Sequence, residues 1–260
     1  MLERAPAPLR FEAVSKEFEG RSAVSGLDLE LGAGELFGLI GPNGAGKTTT
    51  IKMAVGLLRP SSGRITVCGH DVQADGGRAR RHLGYVPDSA PLYGKLTGAE
   101  FLQLAGDLHG VSRRRRERRI PALLEALELS QAAPQLVQSY SRGMRQKLAL
   151  CAALIHDPEV VLLDEPTVGL DPKAARQLRS ILKALCATGH AVFLSTHALD
   201  VASALCDRVG IFSAGRLVAL GTVDELAGQG GGGEGLEAAF MQATGAADGD
   251  SDRLIDALSA

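Results

Sequence analysis

Apolar positions along this 260-residue chain recur with two periods, and the order of those periods outlines a fold. Leu9 to Val14 reads as a strand. Leu27, Leu29 and Leu31 alternate with Asp28 and Glu30, the two-residue period of a half-buried strand. Arg64 to Val67 is a further short strand, and these segments predict an antiparallel β patch near the N-terminus. Four apolar runs read differently: Leu36–Ile40, Leu83–Val86, Val160–Asp164 and Ala191–Ser195 fit buried strands. Helical stretches lie between them. Thr48 to Leu57 is one. Another starts at Asp171-Pro172, a cap followed by a first-turn proline, and should run to about Ala187. Strands alternating with helices predict a parallel, doubly wound α/β sheet.

The middle of the chain, about 88–140, lacks strands and reads as a helical insertion. Thr97-Gly98-Ala99-Glu100 is a capping box. Phe101, Leu104, Ala105 and Leu108 follow at i, i+3, i+4 and i+7, one apolar helix face. A second helix is predicted over Arg113 to Leu127. Its first turns hold six arginines and one glutamate between Arg113 and Arg119. Two readings stand: a surface for an anionic partner, or a solvated helix face whose arginine stems cover apolar surface. Past Gly221 the pattern changes again. We divide the chain into a main domain over 1–228 and a remainder over 229–260. That remainder holds a glycine linker at Gly230 to Gly233, a short helix and a flexible tail after Gly245.

The run Leu36–Ile40 leads directly into Gly41-Pro42-Asn43-Gly44-Ala45-Gly46-Lys47-Thr48, which matches G-x-x-x-x-G-K-[ST] at every fixed position. Glycines let a backbone turn tightly and aim successive N–H groups at phosphate oxygens. The helix that follows points the positive end of its dipole at the same anion. Lys47 is expected to reach the β- and γ-phosphates, the Thr48 hydroxyl to ligate Mg²⁺, and Thr49 to contact the α- and β-phosphates. The chain is therefore expected to bind a nucleoside triphosphate.

Two more segments extend that site. Val160 to Leu163 ends in Asp164-Glu165 at a strand's carboxyl end, where ligands of open α/β sheets bind. Asp164 can hold Mg²⁺ through water, and Glu165 is placed to polarise an attacking water as general base. Ser141-Arg142-Gly143-Met144 precedes a helix with an apolar face at Leu148, Cys151, Ala152 and Ile155. A serine and a glycine at a helix N-terminus make a second anion site, about a hundred residues from the first.

Composition narrows the partners. A formal net charge of −2 argues against generic nucleic-acid binding, so no nucleic-acid partner is expected. The four cysteines, Cys68, Cys151, Cys186 and Cys206, show no zinc spacing and read as reduced structural thiols of a cytosolic protein. Met1 to Arg10 has no apolar core of signal-peptide length, and no run approaches the ~20 apolar residues that span a bilayer. A membrane role would have to run through a partner.

From Leu9 to about Gly245 the chain resembles the nucleotide-binding subunit of ATP-binding cassette (ABC) transporters. Gly41 to Thr49 matches the Walker A motif, and Leu162 to Glu165 matches Walker B with its following glutamate. Ser141 and Gly143 stand where the family has Ser-Gly-Gly-Gln, and Gly169-Leu170-Asp171 matches the D-loop. Ser195-Thr196-His197 matches the switch histidine, which in the family contacts the γ-phosphate; Phe18 sits where an aromatic stacks on adenine. The resemblance implies that 1–228 is an ATP-binding domain: a P-loop NTPase core with a parallel sheet, an N-terminal antiparallel β subdomain and an inserted α-helical subdomain. It implies catalysis by Glu165 and His197, nucleotide contacts from Ser141, Gly143 and Asp171, and Mg²⁺ with ATP as cofactors.

Two positions depart from the family pattern. Asp88 replaces the glutamine that ends Gly84-Tyr85-Val86-Pro87-x; a carboxylate can still ligate Mg²⁺ but cannot donate a hydrogen bond. Arg142 and Met144 replace the second and last signature residues. Arg142 either adds positive charge near the γ-phosphate or points to solvent. The form Tyr-Ser-x-Gly-Met, with Leu92-Tyr93-x-x-Leu96-Thr97, is similar to the exporter branch called ABC-2 type.

The resemblance further implies a head-to-tail dimer with ATP between the Walker A of one copy and the signature helix of the other; the complete motif set permits a homodimer. It implies a transmembrane permease as second partner, contacted through Asp88 to Leu108 with Tyr93 a candidate contact. It also implies a peripheral place on the cytoplasmic face of the inner or plasma membrane. The alternative is a soluble ATPase of the same class acting on ribosomes or DNA. A metabolic P-loop kinase is a third reading, in which the signature segment and His197 have no role.

Overall fold

The computed structural model describes residues 7–168, 170–229 and 235–245. The glycine linker, the tail after Gly245 and Gly169 of the D-loop match lie outside the described residues.

Two sheets carry the fold. Strands β1 (Leu9–Phe18), β2 (Arg21–Leu31), β4 (Ser62–Val67) and β5 (His70–Asp71) form an antiparallel sheet in the order β2-β1-β4-β5. Strands β3 (Leu36–Ile40), β6 (Leu83–Val86), β7 (Val160–Asp164), β8 (Ala191–Thr196), β9 (Arg208–Ser213) and β10 (Arg216–Thr222) form the second, ordered β10-β9-β3-β8-β7-β6. Its neighbours are parallel except β10, which pairs antiparallel with β9 at the edge. Every residue of β3, β7 and β8 is buried, as continuous apolar runs covered on both faces require.

The two sheets are joined by packed rings. Phe11 of β1 lies 6.2 Å from Phe193 of β8, and Phe193 lies 5.3 Å from Phe37 of β3. All three are essentially excluded from water. Each such side chain contributes about 1.5–3 kcal/mol of burial free energy.

Both N-terminal strands run further than expected. The alternation fails after Val14 because β1 is bulged: its register with β2 shifts at Phe11/Val14 and again at Val14/Lys16. Helix α1 (Lys47–Ala54) stops short of the expected Leu57, since the chain turns out through Gly56 at φ +76°.

Helix α2 (Gly76–Ala79) precedes β6. The insertion expected over 88–140 then holds α3 (Gly98–Leu108) and α4 (Arg113–Ala126), followed by α5 (Arg142–Leu154). The capping box is present: the Thr97 hydroxyl accepts from the Glu100 N–H at 3.2 Å, and Thr97 N–H donates to Glu100 at 2.8 Å. The expected face of α3 is out of phase. Leu102 and Gly106 are buried, Phe101 and Ala105 half-buried, and Leu108 is 78% exposed. Gly106 counts as a gap in an apolar pattern, yet it faces inward because the Arg116 stem packs where its Cβ would be. The arginine run is largely spoken for. Arg113 pairs with Glu117, Arg115 and Arg119 with Asp157, and Arg116 with Asp107. This favours the solvated-face reading.

Helix α5 presses on β6 so closely that a Cβ on Gly84 would sit 2.5 Å from the Ala153 carbonyl oxygen. Backbone cannot yield as a flexible side chain can. Gly84→Ala is expected to destabilise by about 1–3 kcal/mol, read as a lower urea midpoint at unchanged slope.

Helix α6 (Pro172–Ala187) has the bounds expected of it. Beyond it come α7 (Leu199–Leu205), α8 (Val223–Gln229) and α9 (Gly235–Thr244). Leu236 and Ala239 of α9 are buried in the main core cluster, so this short helix is docked on the domain.

Candidate ATP site

The sheet register assembles the site. β3 lies beside β8 and β8 beside β7, with Ile40 opposite Thr196 and Asp164 opposite Ser195. The segments leaving these strands, 41–48, 197 and 165, therefore emerge side by side at the sheet's carboxyl edge.

The loop needs its glycines. A Cβ on Gly41 would collide with the Phe212 carbonyl, and one on Gly46 with the Ala23 carbonyl. Gly44 and Gly46 have φ of +80° and +109°, open to glycine at no steric cost. Pro42, Asn43 and Gly44 are exposed, while Ala45 is buried and anchors the loop by accepting from the Gly215 N–H at 3.0 Å. Gly46 caps α1 without a side chain, leaving the first-turn N–H groups of α1 facing the loop. Lys47 is 6% exposed, with its Nζ 2.7 Å from Gly41 O and 3.5 Å from Glu165 Oε1.

Thr48 and Asp164 come together as expected: the Thr48 hydroxyl donates to Asp164 Oδ1 at 3.1 Å. The Ser195 hydroxyl donates to the same oxygen at 2.6 Å. A hydroxyl and a buried carboxylate offer the hard oxygen donors that Mg²⁺ takes, so these two residues fit the ion. Thr49 is half-buried beside them in the first turn of α1.

Glu165 stands at φ +48°, in the left-handed region that a non-glycine residue rarely adopts. Its N–H donates to the Ser195 carbonyl at 3.1 Å. Its carboxylate is 14% exposed, with Oε2 3.0 Å from His197 Nδ1. Strain of this kind at a strand end is typical of functional sites. Glu165, His197 and Lys47 thus form one contiguous group.

Other expected residues stand apart. Ser141 is exposed and caps α5, accepting from the Met144 N–H at 3.3 Å. Among the described residues, no hydrogen bond or ion pair links Ser141 or Gly143 to the phosphate loop. Asp171 is the N-cap of α6, accepting from the N–H groups of Lys173 and Ala174 at 2.9 and 2.8 Å. Phe18 ends β1 with 45% exposure, and the Lys16 ammonium lies 5.0 Å over its ring.

Asp88 is exposed and, among the described residues, no hydrogen bond ties it to Thr48 or Asp164. It shares a surface groove with Arg142, Arg145 and Gln146, so the two departures from the family pattern face one space. Tyr85 feels both acids: burial first, then the charges of Asp164 and Asp88, push its hydroxyl up to about 12.

Sequence reasoning does not single out Ser195 as a site residue. Its role as the second donor to Asp164 follows from the register of β7 against β8, and only its place beside Thr196-His197 hints at it.

A family model described as ABC transporter matches residues 24–168. The daunorubicin resistance ATP-binding protein DrrA3 of Streptomyces coeruleorubidus is 40% identical over 88% of this chain and 72% of its own length. The linearmycin resistance ATP-binding protein LnrL of Bacillus subtilis is 37% identical over 86% of this chain and 72% of its own. The Nod factor export ATP-binding protein I of Burkholderia lata is 40% identical over 83% and 71%.

Among solved structures, an ATP-binding subunit of an ABC transporter superposes with a TM-score of 0.85 at 33% identity, covering 91% of this chain and 99% of the other. A dimeric post-hydrolysis cassette, MJ0796 bound to ADP and Pi, matches at a TM-score of 0.75 and 25% identity, over 82% and 98%. The phosphate loop, the Thr48–Asp164 pair and these likenesses agree: the chain belongs to the ABC transporter family and is an ATP-binding, ATP-hydrolysing subunit that uses Mg²⁺.

Proposed function

We propose that this chain powers an exporter, closing on ATP against a second cassette and passing that movement to a separate membrane permease. The observation that carries the reading is the separation of the two anion sites. Gly41 to Thr48, Glu165 and His197 form one cluster, while Ser141 is exposed and Gly143 half-buried at the start of α5. A second copy would bring its Ser141 and Gly143 to the nucleotide held by Lys47, and a homodimer meets that need. A ligand shifts the open–closed balance only by binding one state better, and a phosphate bridging two copies does so.

In this reading Glu165 takes the proton of the attacking water and His197 holds that carboxylate and meets the γ-phosphate. Lys47, the loop backbone and Thr49 hold the phosphates. Thr48 and Asp164 hold Mg²⁺, with Asp88 a further oxygen donor, Phe18 stacks on adenine and Asp171 approaches the nucleotide across the interface.

Resistance and export in the relatives' names support export as the work done. Among the described residues no helix is long and apolar enough to cross a membrane. The permease would then hold the chain on the cytoplasmic face of the membrane. Its docking surface is the segment Asp88 to Leu108, where Tyr93 is 63% exposed beside an apolar groove lined by Pro87, Ala90, Leu92, Phe101 and Ala105. His156 at that groove is pushed down to about 4, by burial first and then by His109 stacked on it at 3.8 Å. A neutral imidazole there suits an apolar partner. The net charge of −2 supports a partner other than nucleic acid.

Ser141→Arg tests the interface. The variant is expected to retain the ATP affinity of the single chain and to lose hydrolysis to background in a phosphate-release assay. Wild-type turnover there would overturn the shared site. Co-purification with a polytopic membrane protein tests the permease.

A further inference from the structure

We infer that Cys68, His82 and Glu159 form a binding site for one Zn²⁺ ion, separate from the nucleotide site. The three residues are far apart in sequence, yet one ligand atom from each lies within 4.8 Å of the other two. The topology explains the meeting. Leu83 pairs with Val160 across β6 and β7, so His82 and Glu159 occupy matching positions just before those strands. Cys68 and Gly69 form the two-residue turn between β4 and β5, at φ of +47° and +80°. That turn sets the thiol against the pair.

The donor set selects the ion class. A thiolate, an imidazole and a carboxylate suit zinc, whereas Mg²⁺ and Ca²⁺ take oxygen donors. Zinc bonds of ~2.0–2.3 Å in a tetrahedron hold ligands roughly 3.3–3.8 Å apart. Closing the cluster therefore needs side-chain movement on the order of 1 Å. Glu159 is 55% exposed and free to swing, and His82 Nδ1 already lies 2.9 Å from its Oε2. Three protein ligands leave a fourth position for water.

A supporting layer is present. The His70 ring stacks on His82, with centroids 5.4 Å apart and 14° between planes, and His70 Nδ1 lies 3.2 Å from Asp75 Oδ2. This stack limits rotation of the His82 ring, and Asp75 in turn holds His70. Burial, and then the Glu159 charge, push the Cys68 thiol up to about 11. The sulfur is protonated at neutral pH, so forming the metal–sulfur bond releases that proton to solvent.

The cluster sits at the amino ends of β6 and β7, the opposite edge from Asp164. Five residues of strand separate the two sites by roughly 15 Å. A bound ion would join the β4–β5 turn of the antiparallel sheet to the edge of the parallel one.

Co²⁺ titration of the full chain, stripped with a chelator, tests this. One equivalent is expected to give a thiolate-to-cobalt charge-transfer band with tetrahedral visible bands, and Zn²⁺ should displace it. Cys68→Ser should abolish the charge-transfer band. Glu159→Gln and His82→Ala should each weaken binding at least ~10-fold. ATPase rates of all three variants should stay at wild type, which also shows that they fold. Absence of the band in the wild type, its persistence in Cys68→Ser, or unchanged affinity in both other variants would overturn the site. Co²⁺ bound at Thr48 and Asp164 would give no thiolate band, so the two sites are told apart.

Discussion

Glu165→Gln is expected to bind ATP as tightly as the wild type and to lose turnover by ~10²–10⁴-fold. The substitution keeps size and shape but removes the proposed base. The proposed base is fixed in place: Glu165 stands at φ +48°, with its carboxylate 3.0 Å from His197 Nδ1 and 3.5 Å from Lys47 Nζ. An amide can still accept from His197, so the local packing survives. It cannot take a proton from water. Removing a negative charge beside the phosphates leaves binding intact or strengthens it. Nucleotide titration together with single-turnover hydrolysis separates the two effects. Wild-type hydrolysis in this variant would show that another group acts as base.

Lys47→Ala has the second large effect, on binding. The ammonium is almost wholly buried under the loop and reaches Gly41 O at 2.7 Å and Pro42 O at 3.2 Å. A charge-assisted hydrogen bond contributes about 1.5–3 kcal/mol, which corresponds to roughly 10- to 100-fold in affinity. The loss should be larger for ATP than for AMP if, as proposed, Lys47 reaches the terminal phosphates. Equal affinity of wild type and variant for ATP, measured by calorimetry, would show that Lys47 does not hold the triphosphate.

The phosphate loop is legible in the sequence because its chemistry demands particular residues side by side in the chain. Gly41, Gly46, Lys47 and Thr48 are fixed by backbone clearance and charge within one turn, so spacing alone reveals them. The buried strands are legible too, since β3, β7 and β8 carry almost nothing but apolar residues before their functional ends. What depends on register is not. Ser195 meets Asp164 because two strands align, a fact absent from local spacing. The cluster of Cys68, His82 and Glu159 is hidden in the same way. Helix α3 shows a different failure: a buried glycine at Gly106 is invisible to hydrophobic periodicity, and the apparent face shifts by one residue onto exposed Leu108. In β1 the bulges around Val14 break the alternation and conceal its last four residues.

The Ser141–Gly143 pair has a clear local structure, a capped helix start, and its proposed role lies on another molecule. Sedimentation velocity of Glu165→Gln with saturating ATP and Mg²⁺ tests that claim most directly. The 27.1-kDa chain is expected to sediment as a dimer, and adding Ser141→Arg to return it to a monomer. A monomer at saturating ATP in the Glu165→Gln protein, or a dimer indifferent to Ser141→Arg, would contradict the claim.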